Sequence, residues 1–463
     1  MARIHIRMGL MAGAMTHSDE AFDEAYAADG TPRASYAAVL AAIENAGHGA
    51  IATAMTDAAG RAGFSLGARH ACRLLPVDPV PRVFDAEEWS RLAQGLVQRA
   101  RMLEAFDADV YGSRAAIARG AVPQSVIETS PYLERTFTGQ PVVRSPLGII
   151  GFDVVRLADG SFSVLEDNLL TPGHAAVWGL RNLAPLPAAP APVDVFGPAR
   201  AALLEMLGGV DTTVILADAG GDAASWELRQ LSGALGIPVV GYDQLRSSSR
   251  GVSLEGEPVE RIWQRTSEDR LHADDGTPTA LGDLLLAPLL AGAVSVVNPI
   301  GCGVADDKRT FRYTAAITRA LLGEEPLLPI VETLDLGVAE ERSAALADPS
   351  RYVFKPRNGA GGRLVAIPPH NPEELLRLMA VAGESLIAQK FVTLSRHPTV
   401  VEQEFASRPV DLRVFAVRGL DGWTVLPGGV SRYPTDPGSL IVNTSQGGGV
   451  KDVWVMASSD DAS

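Results

Sequence analysis

The apolar run Tyr352-Val353-Phe354, closed by Lys355-Pro356 and followed by Asn358-Gly359-Ala360-Gly361-Gly362-Arg363, constrains this chain more than any other segment. It reads as a strand that delivers a compact ammonium beside a glycine-rich loop. Backbone N–H groups of such a loop can cradle phosphate. The lysine gains weight from its rarity. Arginine supplies 36 of the 40 basic residues, and the four lysines, Lys308, Lys355, Lys390 and Lys451, all lie from residue 308 onward. Nucleotide handling is the first expectation.

Composition narrows the alternatives. With 463 residues and 46% hydrophobic content the chain can bury a large core and should divide into two or three domains. A net charge of −15 and a pI near 5.0 argue against wrapping nucleic acid through a basic surface. Cys72 and Cys302 stand far apart without metal-type spacing, which favours a reduced compartment over a disulfide scaffold. No stretch has the length of a membrane span and the start lacks the apolar core of a leader, so a cytoplasmic protein is expected, with no membrane partner.

Periodicity predicts a mostly helical region over 1–120. An amphipathic run opens at Ser18-Asp19-Glu20 and reaches about Tyr26, Ser35 caps another, and Ala86 to Tyr111 has helical spacing. Gly148 to Leu157 and Ser161 to Leu165 alternate as a hairpin around Ala158-Asp159-Gly160, and Glu166-Asp167-Asn168 ends its second arm. An Ala- and Pro-rich linker from Ala184 to Pro198 marks a boundary. Beyond it strands and helices alternate: strands at 213–217, 237–241, 261–264 and 293–297, helices at 225–235 and 281–290. This is the pattern of an α/β layer with parallel strands. From about Pro329 the chain is rich in strands and glycine, and Ser458 to Ser463 read as a disordered tail.

One ordered series of motifs carries the chemistry. It runs Asp307-Lys308, Val331-Glu332-Thr333, Lys355-Pro356 with its glycine loop, Gln389-Lys390-Phe391-Val392, Asp411-Leu412-Arg413, Arg432, and Asn443 with Gly447-Gly448-Gly449. The series resembles the first motifs of ATP-grasp ligases such as glutathione synthetase. The closing motifs of that family occur early instead, as Gly151-Phe152-Asp153 and Glu166-Asp167-Asn168 before Thr171-Pro172-Gly173. The rotated order resembles the circularly permuted ATP-grasp family, type 2. Asn298 to Lys308, Gly447 to Val455, Asp23-Glu24, Gly30-Thr31-Pro32-Arg33 and Gln98-Arg99 extend the likeness over nearly the whole chain.

The resemblance implies an α/β (α+β) fold. Its circularly permuted ATP-grasp core would be assembled from 121–190, with the metal ligands, and 326–456, with the nucleotide site. A pre-ATP-grasp α/β domain would span 191–325, with the helical region 1–120 before the core and the tail 457–463 after it. Mg2+, with Mn2+ as the alternative, takes hard oxygen ligands, and Asp153, Glu166 and Asn168 supply such a set. Glu166 and Asn168 are two apart on an extended segment and share a face, so Asp167 should point the other way. Lys308 and Lys355 are expected to neutralise the triphosphate beneath a loop of Gly359, Gly361 and Gly362. Gln389, Lys390, Phe391 and Val392 resemble the hinge that meets adenine, and Asp411 would accept a ribose hydroxyl. Arg413 and Arg432 match the guanidinium groups that stabilise an anionic intermediate, with Asn443 and Gly448 at the same point. Arg156 and Arg181 are candidates for a substrate carboxylate, with surface ion pairing an equal account, and Lys451 with Gly448 is a further substrate-binding candidate.

The implied reaction joins a carboxylate to an amine through an acyl phosphate, releasing ADP and phosphate. A phosphotransferase on a small molecule and a nucleotide-binding partner protein without turnover are the alternatives. Relatives of this family are fused to, or encoded beside, helical and transglutaminase-like proteins. A peptide or partner protein as acceptor therefore stands beside a small molecule.

Overall fold

The computed structural model describes residues 21–67, 72–139, 144–170, 172–173, 175–183, 186, 189–358 and 364–457. Strands from three distant parts of the chain build its central sheet. Their spatial order is Val77–Phe84, Gly449–Val455, Gly422–Tyr433, Asp411–Gly419, Ile149–Arg156 and Phe162–Asn168. The first pair is parallel and the remaining four are antiparallel.

Consecutive residues of these strands serve different cores, as the period of two requires. Ile150, Phe152, Val154, Leu412 and Val414 pack with Leu92, Leu96, Leu103 and Phe106 of the helix Ala86–Tyr111. Ile149, Phe415, Val417, Val430 and Val450 pack with Val177 and Leu180 of the helix Ala175–Leu183 and with Leu203 and Met206 of Phe196–Leu207. The Ala86–Tyr111 helix starts where its sequence says it should. Asp85 accepts a hydrogen bond from the Glu88 amide at 2.8 Å, and Glu87 and Glu88 place negative charge in the first turn.

A second sheet holds four parallel strands in the order Ser295–Val297, Arg261–Arg265, Thr213–Ala217, Val239–Val240. A third, antiparallel, is Thr333–Asp335, Leu386–Lys390, Tyr352–Pro356. It closes its own small core of Leu336, Tyr352, Phe354, Leu386 and Ala388. Leu245–Ser248, Gly251–Leu254 and Glu257–Val259 form a meander beside the parallel sheet, and Arg396–Val401 pairs with Glu404–Pro409.

Three expectations for the N-terminal region are corrected. Val77–Phe84 is a strand of the central sheet, although Pro79 and Pro81 argue against one. It lies at the sheet edge, where a missing N–H breaks no ladder on the open side. The run expected to be helical as far as Tyr26 is irregular over its described part. The Asp23 carboxylate accepts the Ala25 and Tyr26 amides at 2.9 Å each, an Asx turn that competes with helix. Ser35 lies inside the helix Ala34–Ala46, whose N-cap position is Arg33.

Candidate active site

One row of side chains crosses three strands. Arg413 is the cross-strand partner of Asp153, and Asp153 of Glu166. A bulge at Leu165 breaks the register between Asp153 and Val154; bulges re-aim side chains in this way. Arg413 Nε and Nη2 donate to Asp153 Oδ1 and Oδ2 at 2.6 and 2.7 Å, and Nη2 also reaches Asn168 Oδ1 at 3.3 Å. Arg432 Nη2 donates to Asp153 Oδ2 at 2.8 Å. Asp167 points to the opposite face, where Arg99 holds both its oxygens at 2.6 Å.

The segment between Asn298 and Lys308 clamps the end of the Glu166 strand. The Asn298 amide oxygen accepts the Gly148 and Ile149 amides at 2.7 and 3.0 Å, while its nitrogen donates to the Ile149 and Leu169 carbonyls at 2.7 and 2.5 Å. Asp306 Oδ2 accepts the Leu169 and Leu170 amides at 2.6 and 3.2 Å. Leu169 is thus gripped through both its carbonyl and its amide. Asn298 and Asp306 lie within the segment Asn298 to Lys308 and Arg99 follows Gln98, yet their roles are not legible in the sequence, because each partner is distant along the chain.

Facing this row stands the antiparallel sheet of Lys355. Lys355 Nζ donates to Gln389 Oε1 at 2.7 Å, and Gln389 Nε2 donates to the Leu165 carbonyl and to Thr333 Oγ1 at 3.1 Å each. Lys308 Nζ lies 2.5 Å from Glu166 Oε1. Between them is a narrow cleft with a free volume of about 10 Å3, lined by Glu166, Asp306, Lys308, Phe311, Lys355 and Gln389. That is room for about one water, against about 300 Å3 upward for ligand pockets, so a nucleotide enters only if the two walls part.

Opposed charges dominate the electrostatics. Burial would raise the Asp153 carboxyl, but Arg413 and then Arg432 outweigh it and hold it well below the usual range. Burial likewise opposes ionisation of Glu166, and Lys308 with Lys355 reverses that effect. Burial depresses Lys355, and Glu166 offsets only part of this. For Asp306 burial prevails over Lys308 and pushes the carboxyl up to about 7.

Asp153, Glu166, Asn168, Lys308, Lys355, Arg413 and Arg432 converge. The donor set of two carboxylates and an amide oxygen fits a hard cation, although its carboxylates are at present neutralised by Arg413, Arg432 and Lys308. No group of three or more His, Cys, Asp or Glu suited to a metal occurs among the described residues.

Several expected site residues are committed elsewhere. Asp411 is 1% exposed, and its two oxygens are taken up by the backbone amide, Nε and Nη2 of Arg432, so it is not presented to a ribose. Arg156 is buried against Glu24 and Glu88, at 3.2 and 2.6 Å. Arg181 holds Asp452 and the Val193 and Val453 carbonyls at 2.6, 3.1 and 3.0 Å. Lys451 is fully buried on Asp78 and the Pro398 carbonyl, and its cross-strand neighbour is Ser431, one residue out of phase with Arg432. Asn443 Oδ1 caps the turn at Ser445. Gly448 is a glycine because a side chain there would stand 2.4 Å from the Val442 carbonyl oxygen.

In the hinge segment the Lys390 and Phe391 amides already bind the Glu332 and Arg351 carbonyls, at 2.8 and 2.7 Å. Lys390 is exposed, Phe391 and Val392 are partly so, and the Gln389 side chain is turned inward on Lys355. Gly359, Gly361 and Gly362 lie outside the described residues, as do Thr171 and the tail 458–463.

A family model described as circularly permuted ATP-grasp type 2 matches residues 81–434. The chain belongs to that family. Among ATP-grasp relatives, a Frankia alni protein named "Putative glutamate--cysteine ligase 2-3" is 36% identical over 94% of this chain and 54% of its own length. An uncharacterised protein of Mycobacterium tuberculosis is 33% identical over 94% of this chain and 84% of its own. The chain spans about half the length of the Frankia relatives it matches. An apo structure of a glutathione synthetase-like effector from Globodera pallida aligns over 88% of this chain and 96% of its own, with a TM-score of 0.50 at 13% identity; this supports the ATP-grasp fold. No helix among the described residues is long and apolar enough to cross a membrane.

Proposed function

We propose that this chain is an ATP-dependent ligase that joins a carboxylate to an amine through an acyl phosphate. The observation that carries the reading is the row Arg413–Asp153–Glu166 set against Lys308 and Lys355 across one cleft. In the reaction a carboxylate oxygen of the substrate attacks the γ-phosphorus of ATP, and ADP leaves. The amine nitrogen then attacks the acyl carbon, a proton leaves the nitrogen, and phosphate departs. Each step moves negative charge, and positioned cations are the main requirement.

Lys308 pairs with Glu166 and Lys355 with a neutral glutamine, partners that phosphate oxygens can replace. Asp153, Glu166 and Asn168 would hold Mg2+, which when bound neutralises charge on the phosphates. Arg413 is 22% exposed and Arg432 8%, so Arg413 is the better placed to meet the oxyanion of the tetrahedral intermediate. The named Frankia relatives make glutamate and cysteine the first acid and amine to assay. Small molecules, peptides and a partner protein remain acceptors to compare.

Hydroxylamine trapping tests the intermediate. Purified protein with ATP, Mg2+ and a panel of carboxylic acids should give a hydroxamate in step with ADP. A stable phosphorylated product without hydroxamate would establish a phosphotransferase instead. Absence of ATP binding in folded protein would remove the catalytic reading altogether.

A further inference from the structure

The four parallel strands do not add to their sheet in one direction. Thr213–Ala217 lies between Val239–Val240, the next strand in sequence, and Arg261–Arg265, the third. Chain progression therefore reverses between Thr213–Ala217 and Arg261–Arg265, with Ala217 opposite Arg265. Outside the carboxyl ends of strands at such a reversal the connecting loops diverge and leave a crevice, the usual place for a ligand in sheets of this type. Here the loops begin at Asp218 and Thr266. The Asp218 carboxylate ties them by accepting the Ser267 amide at 3.0 Å and its hydroxyl at 3.1 Å.

We propose that this crevice is the subsite for an α-amino acid substrate, with Arg265 binding its carboxylate and Glu227 its ammonium. The proposal rests on the ligase reading and names the substrate class of that site.

Arg265 is 6% exposed, and Nη2 lies 3.2 Å from Glu227 Oε2. Its Nε and Nη1 are buried without a hydrogen-bond partner, and it alone among the described arginines has two such atoms. A guanidinium has five N–H donors and no acceptor, so a group that pairs with these two atoms is an acceptor. A carboxylate also balances the charge. Glu227 stands in the first turn of the helix Trp226–Leu235, beside the same guanidinium. It attracts an ammonium and repels a phosphate or a second carboxylate, which selects a zwitterionic head group.

The crevice adjoins the metal-ligand hairpin. A side chain on Gly173, five residues beyond Asn168, would stand 3.3 Å from both Glu227 carboxylate oxygens. Asn298, just past the fourth parallel strand, binds Ile149 and Leu169. Because both free Arg265 donors are shielded, the ligand enters as the loops part at the Asp218–Ser267 contact.

Calorimetric titration of the twenty L-amino acids into the wild-type chain and into Arg265→Gln, without ATP, tests this directly. At least one amino acid should bind the wild type. Arg265→Gln should weaken that binding by about tenfold or more, the effect expected for a charge-assisted hydrogen bond, with ATP affinity unchanged. The decarboxylated amine of the same compound should bind the wild type as weakly as the amino acid binds the variant. If Arg265→Gln does not fold, Arg265→Lys carries the test and should show the same preference lost in part. No binding by any amino acid, or equal binding by wild type and a folded variant, overturns the subsite. An amino acid that binds through Arg265 but supports no ADP formation with ATP, Mg2+ and the panels of carboxylic acids and amines leaves the subsite standing and removes the ligase reading.

Discussion

Arg413 and Asp153 face each other across adjacent antiparallel strands and meet through two hydrogen bonds, at 2.6 and 2.7 Å. A residue expected to hold a metal is thus paired with one expected to stabilise an intermediate, and the site neutralises itself until substrates supply other charges. Arg413→Ala should retain ATP binding and lose ligation by a factor of hundreds, on the scale of about 3–4 kcal/mol for removal of an oxyanion donor. Arg432 remains 2.8 Å from Asp153, so the melting temperature should change little. Arg413→Lys should rescue little, since a point charge lacks the planar fork. Full turnover at unchanged affinity and melting temperature would take Arg413 out of the active site.

Glu166 and Asp167 are neighbours with opposite duties. Glu166→Ala or Asn168→Ala should abolish turnover and leave the fold intact. Asp167→Ala instead strips Arg99 of its partner in a pair whose side chains are 7% and 1% exposed. Breaking a buried pair from one side costs about 3–5 kcal/mol, so this variant should be much less stable yet active per folded molecule. Denaturant unfolding with turnover measured on the folded fraction separates the two. An Asp167→Ala protein of normal stability and no activity would show that the metal site uses the other register.

How much of this was legible beforehand depended on whether a residue's partner was near in sequence. The alternation of Glu166, Asp167 and Asn168 is local, and the opposite facing of Asp167 follows from it. The Ala86–Tyr111 helix follows from its own spacing. For Arg156 and Arg181 the sequence leaves substrate binding and ion pairing level, and the buried pairs of both and of Lys451 are not legible in it, because their partners, Glu24 and Glu88, Asp452, and Asp78, are brought to them only by the tertiary fold. The strand Val77–Phe84 was missed for a similar reason: its eight residues are buried on both faces, which erases alternation, and its prolines are tolerable only at an edge.

Lys355 owes its availability to a neutral partner. Gln389→Glu would set a carboxylate against the ammonium at the present 2.7 Å and hold it away from phosphate. ATP affinity should fall by about tenfold, the worth of roughly 1.4 kcal/mol, while Gln389→Met should leave it closer to wild type. Calorimetric titration of ATP with Mg2+ distinguishes them. Tighter ATP binding by Gln389→Glu would mean that Lys355 does not meet the triphosphate.

Asp306 makes stability depend on pH in the sense opposite to an ion-paired carboxylate. Its folded value is about 7, raised by burial, against about 3.9 in an unfolded chain. Protonation therefore favours the folded state. The contribution is fully present below about pH 4 and is lost as pH rises toward 7. At about 1.4 kcal/mol per unit the loss reaches at most about 4 kcal/mol. Asp306→Asn keeps an acceptor for the Leu169 and Leu170 amides without the titration. Relative to it, the wild type should be progressively less stable from pH 4 to pH 7, and the difference should level off above pH 8. Urea unfolding of both proteins at four pH values checks this. Parallel profiles would mean that Asp306 is ionised throughout, with Lys308 rather than burial setting its charge.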